Sequence, residues 1–363
     1  MAEKTYMYVG CFTEPERAGT GSGGIVVFEK TGDGSWKRIQ TVEQRNPSFL
    51  AMSEDKNFLY NVQGGGDRLC AYAINERTGK LSFLNSVPSK AGLALEVCNG
   101  YLFVAAGDIS VYPLKEDGSI ENEVARLTPT GEIGPMKGIQ HSAQPHHILH
   151  DAQKKFFAVP CRGMDVVHIY NFDAPSRTVR AVSKLDTYGG LYPRHIAFHP
   201  QMPVAYVLLE RYGFVLSCRY ENGALIPFES HVTVDRDFVN LYNGAAEIQI
   251  HPNGRILGIS NRGHNSIALF SIREDGGLEH RSWIRERICV PRYFAFDASG
   301  EYVLSCNMGE VPAGRMLMKE KQAVPGTGTI TLYRLDTERV SATFTGESIP
   351  IAAPACLLMK TQE

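Results

Sequence analysis

Long apolar runs, paired cysteines and an excess of one charge sign are all missing from this 363-residue sequence. No apolar run approaches the ~18 residues that a membrane-spanning helix needs, so we expect no membrane partner. The 37 basic and 39 acidic residues give a formal net charge of −2, and lysine and arginine form no block suited to nucleic acid. We therefore exclude nucleic acid from the expected partners.

The cysteines occur only singly, and the sequence contains no CxxC pair. They stand at positions 11, 70, 98, 161, 218, 289, 306 and 356, mostly inside predicted strands. Such isolated cysteines are typical of buried, reduced thiols. The opening MAEKTYMYVG enters the first predicted strand after five residues, which leaves no room for a signal peptide. Both observations predict a cytoplasmic location.

A two-part phrase recurs seven times along the chain. A short apolar strand ends in small or polar residues, and a second strand of the form apolar-x-apolar-aromatic follows. The first parts are YVGC, LYNVQ, LFVAAG, FAVPCRG, YVLLER, LGISNRG and VLSCNMG, and the second parts are IVVF, LCAY, ISVY, VHIY, LSCRY, IALF and ITLY. Successive first parts lie 52, 43, 54, 49, 52 and 45 residues apart. A period of about fifty residues with several strands predicts a β-propeller.

The prediction is an all-β, seven-bladed propeller that forms one domain over residues 1–363. Length alone would suggest two domains, but a repeat architecture carries a chain of this size as one. An apolar strand precedes each first part, as in NPSFLAM from Asn46, so each blade reads as a four-stranded antiparallel meander a-b-c-d. The last segment, PACLLMK from Pro354, resembles strand a without successors. We expect it to close the ring beside the N-terminal strands.

The topology predicts which polar residues share one face of the ring. In a propeller, strand a lines the central channel and strand b runs antiparallel to it, so the starts of a and the ends of b meet at one mouth. Polar residues at the starts of strand a are His146, Arg194, Glu247 and Arg292; those at the ends of strand b are Gln63, Cys161 or Arg162, Glu210, Arg262 and Asn307. Convergence of these groups predicts a binding or catalytic funnel.

These residues resemble the seven-bladed lactonase family, which contains bacterial 6-phosphogluconolactonases and fungal 3-carboxy-cis,cis-muconate lactonizing enzymes. The resemblance covers essentially the whole chain and is most specific in PRHIAFHP from Pro193, in YVLLE and in ISNRGHNSIALF from Ile259. It implies catalytic roles for His146, Arg194, Glu210 and Arg262. The chain departs from the family pattern at Cys161–Gly163, where the family often has Asp-Leu-Gly, at Ala105 and Ala106, and at Gln63.

The predicted chemistry needs no cofactor. Arg194 and Arg262 offer planar donor forks for a carboxylate, a phosphate or a developing oxyanion. His146 and Glu210 can each move a proton at neutral pH, and the residues leave open which one is the base. Further expected substrate contacts are Arg292, Glu247, Arg162, Gln63, Asn307 and His195.

Three function hypotheses follow. The first is hydrolysis of a small anionic lactone resembling 6-phosphogluconolactone, in carbohydrate metabolism. The second is a cycloisomerase that acts on an open-chain polycarboxylate or a carboxymuconolactone, and the third is a binding propeller without chemistry. We expect a monomer or a weak homo-oligomer.

Two motifs are set aside, and one loop is noted. Gly19, Gly21 and Gly24 satisfy GxGxxG, but a strand follows where a dinucleotide site needs a helix. His146, His147 and His150 form HHxxH, yet alternate strand residues cannot all face one ion, so we expect no metal. The segment Val311–Gly328 reads as a long loop over the mouth and a candidate lid.

Overall fold

Seven four-stranded antiparallel sheets make up the fold, so the sequence prediction of a seven-bladed all-β propeller is confirmed. The computed structural model describes residues 4–17, 23–238, 243–309 and 326–362. Only two short 3-10 helices, Pro15–Arg17 and Arg236–Phe238, interrupt the strands within those ranges. In the same ranges, no helix has the length and apolar character needed to cross a membrane. The candidate lid, Val311–Gly328, lies almost entirely outside the described residues.

The strands follow the chain from blade to blade in the predicted a-b-c-d order. Blade 1 contains β1 (Thr5–Cys11), β2 (Gly24–Lys30) and β3 (Trp36–Glu43), and blade 2 contains β4 (Pro47–Met52), β5 (Phe58–Gln63), β6 (Arg68–Ile74) and β7 (Leu81–Pro88). Blade 3 contains β8 (Ala94–Cys98), β9 (Tyr101–Ala106), β10 (Asp108–Pro113) and β11 (Ala125–Leu127). Blade 4 contains β12 (Leu149–His150), β13 (Phe157–Cys161), β14 (Val166–Asp173) and β15 (Thr178–Asp186).

The second half of the ring repeats the pattern. Blade 5 contains β16 (Pro193–Phe198), β17 (Val204–Leu209), β18 (Phe214–Glu221) and β19 (Ala224–Val232), and blade 6 contains β20 (Gly244–Ile250), β21 (Ile256–Arg262), β22 (Ser266–Ile272) and β23 (Leu278–Ile284). Blade 7 contains β24 (Pro291–Phe296), β25 (Tyr302–Asn307), β26 (Thr329–Asp336) and β27 (Ser341–Pro350).

The chain ends close the ring as the sequence predicts. The final strand, β28 (Pro354–Thr361), is the innermost strand of blade 1 and pairs antiparallel with β1, with Tyr8 opposite Leu358. Blade 1 is thereby built from both termini, and β1 is paired on both of its edges. Such closure removes the open strand edges that an interrupted ring would present to other chains.

Buried tyrosines join neighbouring blades at equivalent positions. The hydroxyl of Tyr8 donates to the carbonyl oxygen of Gly79 at 2.8 Å, and Tyr60 and Tyr206 make the same contact with the c-d turn of the next blade at 2.9 Å. All three tyrosines open the first part of a repeated phrase or lie next to its opening residue. The repeat thus encodes both the strands and a hydrogen bond that ties consecutive blades together.

The start of the inner strand has an unusual backbone in five blades. A residue with positive φ, between 40° and 60°, stands directly before a proline in each of them: Asn46, Gln144, Tyr192, Val290 and Ala353. Non-glycine residues rarely adopt this conformation. In blades 2, 5 and 7 the register then shifts by one residue after the proline, which leaves a bulge at Ser48, Arg194 and Arg292. Bulges of this kind redirect side chains next to functional sites.

Candidate active site

The bulged strand starts open onto one mouth of the central channel. Ser48, Arg194 and Arg292 line a common cavity there, together with His146, which stands at the equivalent position of blade 4. The following residues of the same strands also contribute, including His195 and Tyr293. The ends of strands β17 and β21 reach the same mouth, so the structure brings together the four residues for which the resemblance implied catalysis.

Glu210 lies at the centre of an arginine cluster. Its Oε2 atom is 3.1 Å from Nη1 of Arg162, and its Oε1 atom is 3.0 Å from Nη2 of Arg262. The Nε atom of Arg194 lies 3.7 Å from Oε2, within ion-pair distance but beyond a hydrogen bond. Glu210, Arg194 and Arg262 are buried, whereas Arg162 is partly exposed.

The three guanidinium groups hold the Glu210 carboxylate in its ionised form. Burial alone would raise the pKa of Glu210, but the positive charges of Arg162, Arg262 and Arg194 outweigh burial and lower its pKa to about 2. A carboxylate so strongly stabilised accepts a proton poorly at neutral pH. Its chemistry is that of a fixed counter-ion that orients three donor forks.

Backbone contacts fix the cluster from several elements. The amide of Glu210 donates to Tyr192 O, and the amide of Ala245 donates to Glu210 O, both at 2.8 Å, so residue 210 is stitched between the starts of β16 and β20. Arg262 donates from Nε to Gly244 O at 2.9 Å, and Arg162 donates from Nε and Nη2 to Oε1 of Gln144 at 3.1 Å. The guanidinium groups are therefore positioned before any ligand arrives.

His146 is the buried imidazole closest to this cluster in character. Burial, followed by the charges of Arg194, Arg162, Arg292 and Arg262, lowers the pKa of His146 well below its ordinary value of 6.5. The ring is consequently neutral at physiological pH. Its Nδ1 atom is buried and has no hydrogen-bond partner among the described residues. A neutral imidazole with an unused ring nitrogen beside a cavity is suited to accept a proton.

A second buried carboxyl group lies on β20. Oε2 of Glu247 is 3.3 Å from Nδ1 of His195, but neither atom has a hydrogen-bond partner within the described part of the chain. Burial raises the pKa of Glu247 to about 8, although Arg194, the amide of Ile248 and Arg292 act in the opposite direction. The two glutamates of the site therefore differ in charge at neutral pH, Glu210 ionised and Glu247 protonated.

Aromatic rings close the channel beneath the mouth. The ring of His147 stacks on that of His195, with centroids 4.3 Å apart and planes 8° apart. The ring of Phe49 meets His147, His195 and Tyr293 edge-on at 6.1, 6.2 and 6.4 Å. Four blades thus contribute to an apolar floor, and the polar groups above it face a blind cavity.

The sequence profile described as "Lactonase, 7-bladed beta-propeller" matches residues 6–310. The chain belongs to this family. The 6-phosphogluconolactonase of Bacillus subtilis is 26% identical over 96% of this chain and 97% of its own length. A Formosa agariphila protein of the same name is 29% identical over 83% of this chain and 89% of its own.

Solved structures share the fold of this lactonase-family propeller. The periplasmic gluconolactonase of Pseudomonas aeruginosa superposes with a TM-score of 0.86 at 23% identity, covering 98% of this chain and 99% of the other. A Lactobacillus plantarum protein gives a TM-score of 0.84 at 23% identity over 99% of both chains. At this identity the likeness concerns the fold.

One departure from the family pattern falls inside the site. In the segment Cys161–Gly163 the middle residue, Arg162, is the one bonded to Glu210, whereas Cys161 is buried in the core at the end of β13. Only glycine fits after Arg162, because a Cβ atom on Gly163 would lie 1.7 Å from Ser142 O. The close backbone contact fixes the turn that presents Arg162 to the mouth.

Two predicted substrate contacts are not among the residues that line the cavity. Asn307 serves its own blade, accepting from the Cys289 amide at 3.1 Å and donating to Arg287 O at 3.2 Å. The side chain of Gln63 packs beside Gly66. Contacts of these two residues with substrate stay predictions. Arg292 does line the cavity, and its guanidinium lies over the ring of Phe12, 4.9 Å from the centroid.

The motifs that the sequence analysis set aside have other roles. Gly24 begins strand β2, as expected, while Gly19 and Gly21 fall outside the described residues. His150 turns to blade 3, where its Nδ1 atom lies 2.7 Å from Oε2 of Glu96, and His147 belongs to the channel floor. Within the described ranges, histidine, cysteine and acidic side chains form no group of three suited to a metal ion.

Sequence reasoning missed several residues of the site. Gln144, which holds Arg162, and Tyr192, whose ring lies 5.9 Å from the Arg162 guanidinium, both stand directly before the proline that opens an inner strand. Tyr293 and Ser48 belong to the bulged segments. The signal that could have found them is the recurring X-Pro dipeptide itself, because every inner strand that begins with it points side chains into the mouth.

Proposed function

We propose that this protein hydrolyses a small anionic lactone at the arginine-lined mouth of its channel. The observation that carries the proposal is the pairing of one ionised carboxylate, Glu210, with three guanidinium groups next to the neutral imidazole of His146. This set offers charge stabilisation and a base. An interaction scaffold has no need of a buried base with an unused nitrogen beside such a cluster.

An excess of positive charge supports an anionic substrate. The guanidinium groups of Arg162, Arg194, Arg262 and Arg292 surround the mouth, and Glu210 is the carboxylate that balances them at neutral pH. A substrate phosphate or carboxylate would offset the remaining charge and accept bidentate hydrogen bonds.

The proposed reaction uses His146 as the general base. Nδ1 of His146 takes a proton from water as the water oxygen attacks the lactone carbonyl carbon, and a guanidinium group stabilises the oxyanion that forms. Collapse of this intermediate restores the carbonyl and breaks the ring C–O bond. The imidazolium returns its proton to the departing alkoxide, which gives the open-chain hydroxy acid. Of the two proton carriers suggested by the sequence, we propose His146, because the low pKa of Glu210 suits it to orienting the arginines instead.

The relatives support hydrolysis and a sugar-acid substrate. Those in Bacillus subtilis and Formosa agariphila are named 6-phosphogluconolactonase, and the Pseudomonas aeruginosa structure is titled a gluconolactonase. We therefore propose a lactone resembling 6-phosphogluconolactone, no cofactor, and a role in carbohydrate metabolism. The eight cysteines, which are all unpaired, support the cytoplasm as the proposed location. Because all groups of the proposed site come from one chain, a monomer should suffice for activity.

A panel of three lactones tests the proposal: 6-phosphoglucono-δ-lactone, glucono-δ-lactone and 3-carboxymuconolactone, each with and without EDTA. We expect the phosphorylated lactone to be opened with a kcat/KM at least ~10-fold above that of its neutral counterpart, because one charge-assisted contact contributes about that factor. EDTA should not change the rate. Exclusive action on 3-carboxymuconolactone would favour the cycloisomerase, and anion binding without turnover would favour a binding propeller.

A further inference from the structure

The dyad formed by His195 and Glu247 holds Arg194 from the side opposite Glu210. Nη1 of Arg194 lies 2.9 Å from Nε2 of His195 and also donates to Ala246 O. A guanidinium group can only donate, so Nε2 of His195 must accept. The neutral ring then carries its proton on Nδ1, the atom that faces Oε2 of Glu247 at 3.3 Å. The tautomer of His195 is thereby set by its two neighbours.

The imidazole of His195 is also held in place by packing. His147 stacks on one face, and Phe49 meets the ring edge-on. His195 and Glu247 are each at least nine-tenths buried, with relative exposures of 2% and 4%, and both line the mouth cavity. A buried carboxyl oxygen without a hydrogen-bond partner is costly unless the group is protonated or meets a ligand.

We propose that His195 and Glu247 act as a positioning pair that holds Arg194 toward the anion site, and that loss of the Glu247 proton weakens anion binding there. The inference rests on the proposed anion-binding mouth, but it does not require turnover. While Glu247 is protonated, the pair is uncharged, and the arginines act on the ligand with their full field. Ionisation of Glu247 places a negative charge beside Arg194, which competes with the ligand for that guanidinium.

The groups that face Glu247 from neighbouring elements keep their charge where Glu247 changes its own. They are Arg194 and His195 on β16, Arg292 and Tyr293 on β24, Cys306 on β25, Cys356 on β28, and His146 and His147 before β12. Burial lowers the pKa of all three histidines well below 6.5 and raises the pKa of the tyrosine and both thiols. Burial lowers the pKa of Arg194 too, but Glu210 and Glu247 counteract this effect and the guanidinium stays charged.

The test measures binding of inorganic sulfate by isothermal titration calorimetry at constant ionic strength on both sides of pH 8. Sulfate keeps its two negative charges across this range, so a change in affinity reports on the protein. We expect the affinity of the wild-type protein to fall roughly tenfold as the pH rises through the pKa of Glu247, about 8, because one buried charge is added near the site. Glu247→Gln should bind sulfate with a flat profile at the high-affinity level.

Two further variants complete the design. Glu347→Gln removes another carboxyl group with a raised pKa, on the outer strand β27, and should keep the wild-type profile. His195→Phe keeps an aromatic ring against His147 but removes the acceptor for Arg194, so it should weaken sulfate binding at every pH and raise KM more than it lowers kcat.

A pH-independent wild-type affinity, or an unchanged profile in Glu247→Gln, would overturn the inference. If Glu247→Gln does not fold, infrared spectroscopy of the wild-type protein decides. The carbonyl band of a protonated carboxyl group, retained in Glu347→Gln, must persist at neutral pH and disappear through pH 8, and its absence would refute the proposal. Sulfate binding is independent of lactone turnover, so failure of the lactonase proposal and failure of this inference can be told apart.

Discussion

Arg194 and His195 are consecutive residues, yet their side chains contact each other and line the same cavity. Successive residues of a regular strand point to opposite faces. The register shift between Pro193 and His195 breaks this alternation and lets both side chains enter the channel. The contact of 2.9 Å between Nη1 of Arg194 and Nε2 of His195 is therefore a product of the bulge. It connects the Glu210 cluster to the channel floor.

Replacement of Arg194 or Arg262 by lysine should impair catalysis although the charge is retained. Each guanidinium contacts Glu210 with one part of its fork and a backbone carbonyl with another. A lysine ammonium cannot reproduce this geometry. We expect kcat/KM for the lactone to fall ~10-fold to 1000-fold, the range for loss of one or two charge-assisted contacts in the transition state. Steady-state kinetics of both variants will measure the loss.

Arg339→Lys is the matched control, because the side chain of Arg339 is 85% exposed on the outside of blade 7. It should have wild-type kinetics. Unchanged kinetics in both Arg194→Lys and Arg262→Lys would assign these arginines to structure alone.

The blade count and the ring closure could be predicted from the sequence because they depend on local patterns. Each repeated phrase, such as the one that begins at Tyr8, contains its strands, its turn and its tie to the next blade. The unmatched segment at Pro354 then had one place to go. The face on which Arg194, Glu210 and Arg262 meet also followed, since strand direction alone decides it.

The depth and partners of individual side chains could not be predicted in this way. Glu210 and Glu247 look alike in sequence, but three arginines surround the first, and the second faces a neutral imidazole. The difference arises from contacts between blades and from bulges that interrupt strand alternation. Asn307 shows the opposite case, because a polar residue at a correctly predicted strand end serves the hydrogen bonds of its own blade.

Replacement of Glu210 by glutamine should destabilise the protein at neutral pH. Three guanidinium groups would lose their shared counter-charge, and removal of one partner from a buried ion cluster typically costs about 3–5 kcal/mol of unfolding free energy. The folded-state pKa of Glu210 is about 2, below its ordinary value of 4.5. The stabilisation is therefore present above pH 4.5 and is lost as the pH falls toward 2, so wild type and variant should converge in acid.

Urea unfolding of wild type and Glu210→Gln across this pH range checks the prediction. Glu279→Gln removes an exposed carboxylate that pairs with Arg281, and it should change the unfolding free energy by less than about 1 kcal/mol. Equal stability of wild type and Glu210→Gln at neutral pH would contradict the account of Glu210 as a counter-ion.

Deletion of the chain from Pro354 onward should abolish cooperative unfolding. The deletion removes β28, which is the inner strand of blade 1 and pairs with β1 along its length. It would expose the edge of β1 and leave the cores on both sides of blade 1 incomplete, since Leu357 and Cys356 belong to them. Thermal unfolding followed by circular dichroism is the measurement. Deletion of Gln362 and Glu363 alone should leave a sharp transition, and a similar transition in the longer deletion would refute the closure argument.

Replacement of His146 by glutamine should remove the base while keeping a polar side chain in the cavity. General base catalysis contributes ~100-fold to 10,000-fold, and we expect kcat to fall within that range. Because the pKa of His146 lies well below 6.5, the acid limb of the wild-type kcat/KM profile should also lie below 6.5. The unfolded chain takes up this proton first as the pH falls, so the stability difference between pH 7 and acid should be larger in wild type than in His146→Gln. His231→Gln, on the outer strand β19, is the control and should retain wild-type activity. A kcat of wild-type size in His146→Gln, or an acid limb unchanged by the substitution, would show that another group accepts the proton.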